Sequence, residues 1–292
     1  MTIPSCTPPD FAPRRPGTKL PAGAIDTHFH IFGPSAQFPY AATRTYTPPE
    51  ASLAAYEHLA EQIGFSRAVI VQPSVYGTDN SRTLSVLRET RIPIRAIIVI
   101  DDKVSDCDLQ SFHDQGARGI RLNLIFNPGE SFAIATKLAD MIRDLGWHIQ
   151  FLVDISQIAD LASRIDALRL PVVFDHFGHV PMQKGLQDPG FQDALALVRH
   201  GTAWVKLSGA YRITSQNSMP PYHDVAPAAQ AFIAANEDRI LWGSDWPHPA
   251  ISVPMPNDGD LADMAMSWVA EPALRQKFFV TNAEKLYGFE PI

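Results

Sequence analysis

Two histidines separated by one residue close an apolar run near the start of the chain, Ile25-Asp26-Thr27-His28-Phe29-His30. Alternate side chains of an extended strand share a face, so His28 and His30 project together. Imidazoles gathered at a strand end are costly to desolvate unless they hydrogen-bond or bind something, so the pair reads as an active-site floor. Neutral imidazoles suit zinc or a similar ion, with His176 and Asp245 available to complete a set. The same four groups could instead contact a substrate directly, or hydrogen-bond loop carbonyls in a purely structural role.

Other unusual polar residues fall just after apolar runs: Arg121 and Asn123, Asp175 and His176, Lys206 and Ser208, and Asp245. Asp245 stands in Trp242-Gly243-Ser244-Asp245-Trp246-Pro247-His248. A carboxylate between two tryptophans is partly desolvated, which raises its pKa and suits a general base; capping a following loop is the bland alternative. Arg118 and Arg121 are three apart and so lie on opposite faces of a strand. Arg121, nearer the end, is the candidate clamp for an anionic group. Lys206 and Arg212 add positive charge to the site, or else make structural ion pairs. Tyr40, Tyr46, Tyr76 and Tyr211 occupy candidate rim loops; Tyr46, Tyr76, Asn123 and His248 are taken as further substrate contacts. His179 is a weaker loop candidate, and Gly77-Thr78-Asp79-Asn80 reads as a helix-entry turn.

These groups need a scaffold that brings distant strand ends together. Short β-branched runs recur at Ala24–His30, Ala68–Gln72, Ala96–Ile100, Gly119–Leu124, His148–Val153, Val172–His176, Ala203–Leu207 and Ile240–Ser244. Helix-like segments alternate with them: Ser52–Ile63, Ser81–Thr90, Asp106–Gln115, Phe132–Leu145, Ile155–Leu168, Phe191–Arg199, Val225–Asn236 and Leu261–Val269. Eight such repeats predict a distorted (β/α)8 TIM barrel of the α/β class, with chemistry at the C-terminal strand ends. A doubly wound sheet is the rival, but no G-x-G-x-x-G follows the first strand. Residues 1–22, rich in proline, are expected to form an extended arm on a single domain spanning 23–292. Lys+Arg number 24 against 31 Asp+Glu, a net charge of -7, which argues against nucleic acid or a membrane surface as partner. Cys6 and Cys107 cannot make a disulfide framework, no apolar run spans a membrane, and no secretory leader is evident. A cytoplasmic enzyme with a small-molecule substrate is expected.

Together the motifs resemble the amidohydrolase superfamily, and within it the lactone-processing branch that includes the 2-pyrone-4,6-dicarboxylate lactonases. The resemblance runs from about Pro21 to Tyr287. It rests on Gly23–Pro34, Gly77–Asn80, Arg118-Gly119-Ile120-Arg121, Asp175-His176-Phe177-Gly178, Asp245-Trp246-Pro247-His248 and Thr281-Asn282. It implies a general base at Asp245 and substrate or metal contacts at His28, His30 and His176. Two departures stand out. Metal-dependent members carry a histidine at the end of the fifth strand, whereas His148 opens that strand here. The dicarboxylate lactonase pattern has a further arginine where this chain has Asn127, although Arg121 and Arg212 match its others. The resemblance therefore implies catalysis without a required cofactor, one divalent ion on His28, His30, His176 and Asp245 being the alternative. Within the branch the pattern looks most like the galactarolactone isomerases. That implies interconversion of the 1,5- and 1,4-lactones of galactaric acid, an anionic sugar-acid lactone. Lactone hydrolysis is the close alternative, and a non-catalytic sugar-acid-binding barrel the second.

Overall fold

The computed structural model describes residues 3–126 and 132–292. Asn127, where the resemblance expects an arginine, lies outside the described residues. Eight strands, β1 (Ile25–Phe29), β2 (Arg67–Val71), β3 (Ile94–Ile98), β4 (Ala117–Asn123), β5 (His148–Leu152), β6 (Val172–Phe174), β7 (Ala203–Lys206) and β8 (Ile240–Leu241), pair in sequence order, all parallel. The ring is completed by backbone bonds rather than a long ladder. Thr27 N donates to Trp242 O at 3.1 Å, Asp245 N to His28 O at 2.8 Å and His30 N to Trp246 O at 2.8 Å. The fold is the expected (β/α)8 barrel.

The helices are α1 (Leu53–Ile63), α2 (Ser81–Glu89), α3 (Asp106–Gln115), α4 (Ala133–Ile142), α5 (Leu161–Asp166), α6 (Pro189–His200), α7 (Ala226–Ala235), α8 (Asp258–Trp268), α9 (Pro272–Gln276) and α10 (Asn282–Tyr287). Local chemistry sets many of their ends. Ser105 accepts from Asp108 N at the start of α3, and Gly116 in the left-handed region ends it. Asp188 caps α6, with Pro189 in its first turn.

Several segments differ from expectation. The helix expected over 155–168 breaks into a short 3-10 turn and α5, because the Asp154 side chain caps Ser156 N and Asp160 adopts a φ of 56°. The sixth and eighth strands end two or three residues early, where the chain turns to present its polar groups. The closing helices α9 and α10, joined by a wide π turn at Lys277–Thr281, were not anticipated. They matter for the core. Tyr287 and Phe289 pack on Ile25, Val69, Ile97, Val173 and Leu241, closing the N-terminal end of the barrel with apolar side chains.

Residues 3–22 run without helix across the surface. Cys6 N donates to Thr47 O and Thr47 N to Pro4 O, at 2.9 and 2.8 Å. Arg14 bridges Asp260 and Asp263 of α8, both at 2.6 Å. No described helix is long and apolar enough to cross a membrane.

Candidate active site

Asp26 anchors the first strand against the last. It accepts from His28 N, Ser244 N, Ser244 Oγ and Tyr56 OH, all at 2.6–3.0 Å. Burial nevertheless raises its pKa to about 6. With β1 pinned, His28 and His30 bring their Nε2 atoms to 3.3 Å, and His30 Nδ1 lies 2.7 Å from Val71 O at the end of β2.

His176 follows β6 with a φ of 50°, and its Nδ1 lies 2.9 Å from Ser208 Oγ after β7. Gly209 is required beside it: a Cβ there would stand 2.8 Å from His176 Nδ1, on a backbone already at φ +60°. Asp245, at φ 62°, completes the group. Its Oδ1 lies 3.7, 3.7 and 3.6 Å from the Nε2 atoms of His28, His30 and His176, and accepts no hydrogen bond among the described residues. Its Oδ2 accepts from Arg212 Nε at 2.6 Å and Tyr211 OH at 2.7 Å. Tyr211 OH also meets His248 Nδ1 at 2.8 Å, and His248 Nε2 faces Asp258 at 3.2 Å.

Beneath this group lies a second carboxylate. Asp175 Oδ2 accepts from Arg121 Nε at 3.2 Å and Gln150 Nε2 at 3.1 Å. Lys206 Nζ donates to Thr27 O at 2.8 Å, Gln150 Oε1 at 2.7 Å and His28 Nδ1 at 3.2 Å.

Burial dominates the electrostatics. It would raise both aspartates, but the charges around them win. Arg212 and the histidines hold Asp245 well below the usual carboxylate range, and His28, Lys206 and Arg121 do the same for Asp175. Burial lowers His28 to about 3, assisted by the Lys206 charge, and also lowers His30 and His176. The imidazoles are therefore neutral at ordinary pH. Lys206 is lowered by burial to about 8, Asp175 opposing the fall.

A narrow cleft, with room for about one water molecule, opens onto His30, Tyr46, Arg121, Asn123, His176, Arg212 and Asp245. Larger surface hollows lie elsewhere, around His148 and Trp204 and around Tyr222 and Trp268, away from these groups. Of the expected substrate contacts, Tyr46, Asn123, Arg121 and Arg212 line the cavity. Asn123 also accepts from Ile125 N and Phe126 N, shaping the loop after β4. Three others are displaced. Tyr76 OH accepts from Gly33 N at 2.8 Å, Lys206 is wholly buried below His28, and His248 stands behind Tyr211. The sequence gives no role to Asp175, Ser208, Gln150 or Asp258, and places Tyr211 only as a rim aromatic. Gln150 carried a usable signal: a polar residue in the middle of an apolar strand must have a buried partner.

The match to a known family covers residues 25–289. The chain belongs to the amidohydrolase family. It is 37% identical to a 4-sulfomuconolactone hydrolase of Hydrogenophaga intermedia, over 92% of this chain and 90% of that protein. It is 35% identical to the 2-pyrone-4,6-dicarboxylate hydrolase of Comamonas testosteroni, over 96% and 95%. Identity to the D-galactarolactone isomerase of Agrobacterium fabrum is 27%, over 95% of both chains. An apo structure from Agrobacterium tumefaciens superposes with a TM-score of 0.85 at 26% identity, covering 95% of this chain and all of that one.

Amidohydrolases of this fold commonly hold a divalent ion at the equivalent rim. Ligand atoms of His28, His176 and Asp245 do lie within 4.8 Å of one another. The donor set nevertheless fits an ion poorly. An ammonium hydrogen-bonds the far side of His28, and β5 contributes Gln150 at mid-strand, with His148 at its start.

Proposed function

We propose that this chain hydrolyses a small lactone carrying an anionic group. The observation that carries this reading is the asymmetry of Asp245: Oδ2 is held by Arg212 and Tyr211, while Oδ1 is left to face three imidazole Nε2 atoms at 3.6–3.7 Å. A reacting oxygen between Oδ1 and those nitrogens would meet a base on one side and polar ring edges on the other. The hydrolase relatives, at 35–37% identity, support a lactone as the electrophile.

Asp245 Oδ1 takes a proton from water as the water oxygen attacks the lactone carbonyl carbon. Negative charge collects on the carbonyl oxygen, where an imidazole N–H of the group stabilises it. The ring C–O bond then breaks, and Asp245 returns its proton to the departing ring oxygen, giving a hydroxy acid. A carboxylate held so far down in pKa is a weak base but, once protonated, a strong acid. Carbonyl activation must therefore supply much of the barrier lowering in the attack step. Arg121 and the exposed edge of Arg212 suit the anionic group, with Tyr46 and Asn123 beside them. The two unpaired cysteines, Cys6 and Cys107, accord with a cytoplasmic setting.

Isomerisation is the second reading, favoured by the 27% identity to D-galactarolactone isomerase over nearly the whole chain. It uses the same groups, with a substrate hydroxyl replacing water. One experiment separates the two: incubation with 4-sulfomuconolactone, 2-pyrone-4,6-dicarboxylate and the galactarolactones in oxygen-18 water, followed by NMR and mass spectrometry. Hydrolysis yields an open acid with label in its carboxyl group, and isomerisation a new unlabelled lactone. Turnover of none of these lactones removes the reading.

A further inference from the structure

The histidine cage stands on a buried ammonium. Lys206, on β7, has no solvent exposure, and its three N–H bonds meet three acceptors: Thr27 O at 2.8 Å, Gln150 Oε1 at 2.7 Å and His28 Nδ1 at 3.2 Å. An ammonium can only donate, so His28 Nδ1 accepts, and the single hydrogen of the neutral ring sits on Nε2. Gln150 is oriented by the same count, because its Oε1 is taken by Lys206 while its Nε2 donates to Asp175 Oδ2 at 3.1 Å. Asp175 Oδ1 stands 3.3 Å from His28 Nδ1 and accepts no hydrogen bond among the described residues. It is the partner that the opposite tautomer would use.

His30 is set the other way. Its Nδ1 lies 2.7 Å from Val71 O, which only accepts, so the hydrogen is on Nδ1 and Nε2 is a lone pair. The 3.3 Å between the two Nε2 atoms is then a hydrogen bond from His28 to His30 that a substrate oxygen can take over. The charges around the neutral rings balance, with Lys206, Arg121 and Arg212 against Asp175, Asp245 and Asp26, so the placement of the ring hydrogens decides what the centre accepts.

We propose that Lys206 is a positioning residue that fixes the His28 hydrogen on Nε2, so that the cage presents an N–H to the carbonyl oxygen instead of a lone pair to a divalent metal. The identity of that oxygen rests on the lactone reading; the proton placement and the discrimination against metal do not.

Two measurements need no substrate. In protein labelled with nitrogen-15 at histidine, long-range proton–nitrogen spectra should show His28, assigned by its loss in His28→Asn, as the Nε2–H tautomer. An Nδ1–H pattern overturns the proposal. In Lys206→Met, the His28 hydrogen should move to Nδ1, toward Asp175. Zinc(II) chloride should then bind one ion per chain at least about tenfold more tightly than in the natural protein, because a buried like charge is gone. Equal zinc affinity in the two proteins also overturns it. If Lys206→Met does not fold, the spectrum of the natural protein decides alone. A third measurement uses lactone. Lys206→Met should lower kcat about a hundredfold with a much smaller change in KM, as for loss of an oxyanion donor. The expected tautomer with no lactone turned over keeps Lys206 in this role and removes the lactone reading; turnover with the opposite tautomer does the reverse.

Discussion

Asp245 and Asp175 invite direct comparison. Both follow strands on the same rim, both are fully buried, and both pair with an arginine. Neighbouring positive charge holds both well below the usual carboxylate range. They differ in what lies on the free side. Asp245 Oδ1 faces the cavity and three imidazoles, whereas Asp175 Oδ1 faces Lys206 and His28 in the barrel interior. One carboxylate can meet a reacting atom; the other can only order the groups that do. Residue type and strand-end position do not distinguish these roles, but the second layer of partners does.

The largest expected effect comes from removing the exposed oxygen's basicity. Asp245→Asn should lower kcat by about 10²–10⁴-fold while the circular dichroism spectrum is retained. Unchanged turnover would end the division of roles. Asp175→Ala should act first on stability, because it leaves Lys206 and Arg121 buried without their shared counter-charge. A loss of about 3–5 kcal/mol, read from urea unfolding, is expected. A neutral result would place Asp175 outside the supporting layer.

Arg121→Met should weaken anionic substrate binding by about 2 kcal/mol, seen as a KM raised some tens of times, although the lost Asp175 contact adds a stability cost. Tyr211→Phe removes one of two donors to Asp245 Oδ2 and should cost about 1 kcal/mol in kcat/KM. A larger loss would mean that Tyr211 touches the substrate. The smallest effect at neutral pH concerns protonation. His28 and His148 are each lowered to about 3, chiefly by burial, against 6.5 when free. Between those values the unfolded chain binds more protons at these two groups, so their contribution rises with pH and is lost as pH falls from about 6.5 toward 3, while Asp26, raised from 3.8 to about 6, opposes it between its own two values. Melting temperatures at stepped pH should show that slope and no further histidine contribution above 6.5.

Much of the barrel was legible because its signals are local. Apolar runs marked every strand, and the helix expected over Asp106–Gln115 coincides with α3. Part of the rim was legible for the same reason: His28, His30, His176 and Asp245 each end an apolar run, and the fold gathers them. What escaped was decided by partners distant in sequence. Lys206 looked like a substrate cation, but Gln150 and Thr27 draw it below the cage. Tyr76 looked like a rim contact, but its hydroxyl is taken by Gly33 N. The break in the helix expected over 155–168 came from the left-handed backbone at Asp160, which an apolar periodicity does not register.

The bonds that complete the ring join the first strand to the last, far apart in sequence. Thr27 reaches Trp242 across 215 positions, and Asp26 reaches Ser244 across 218. Contacts of such high sequence separation carry a large loop-closure entropy and are not rewarded until the intervening chain is in place. The same closure sets Asp245 against His28 and His30. Assembly of the proposed catalytic group and completion of the barrel are therefore one event in folding, and recovery of turnover after dilution from denaturant should trail the recovery of helical signal.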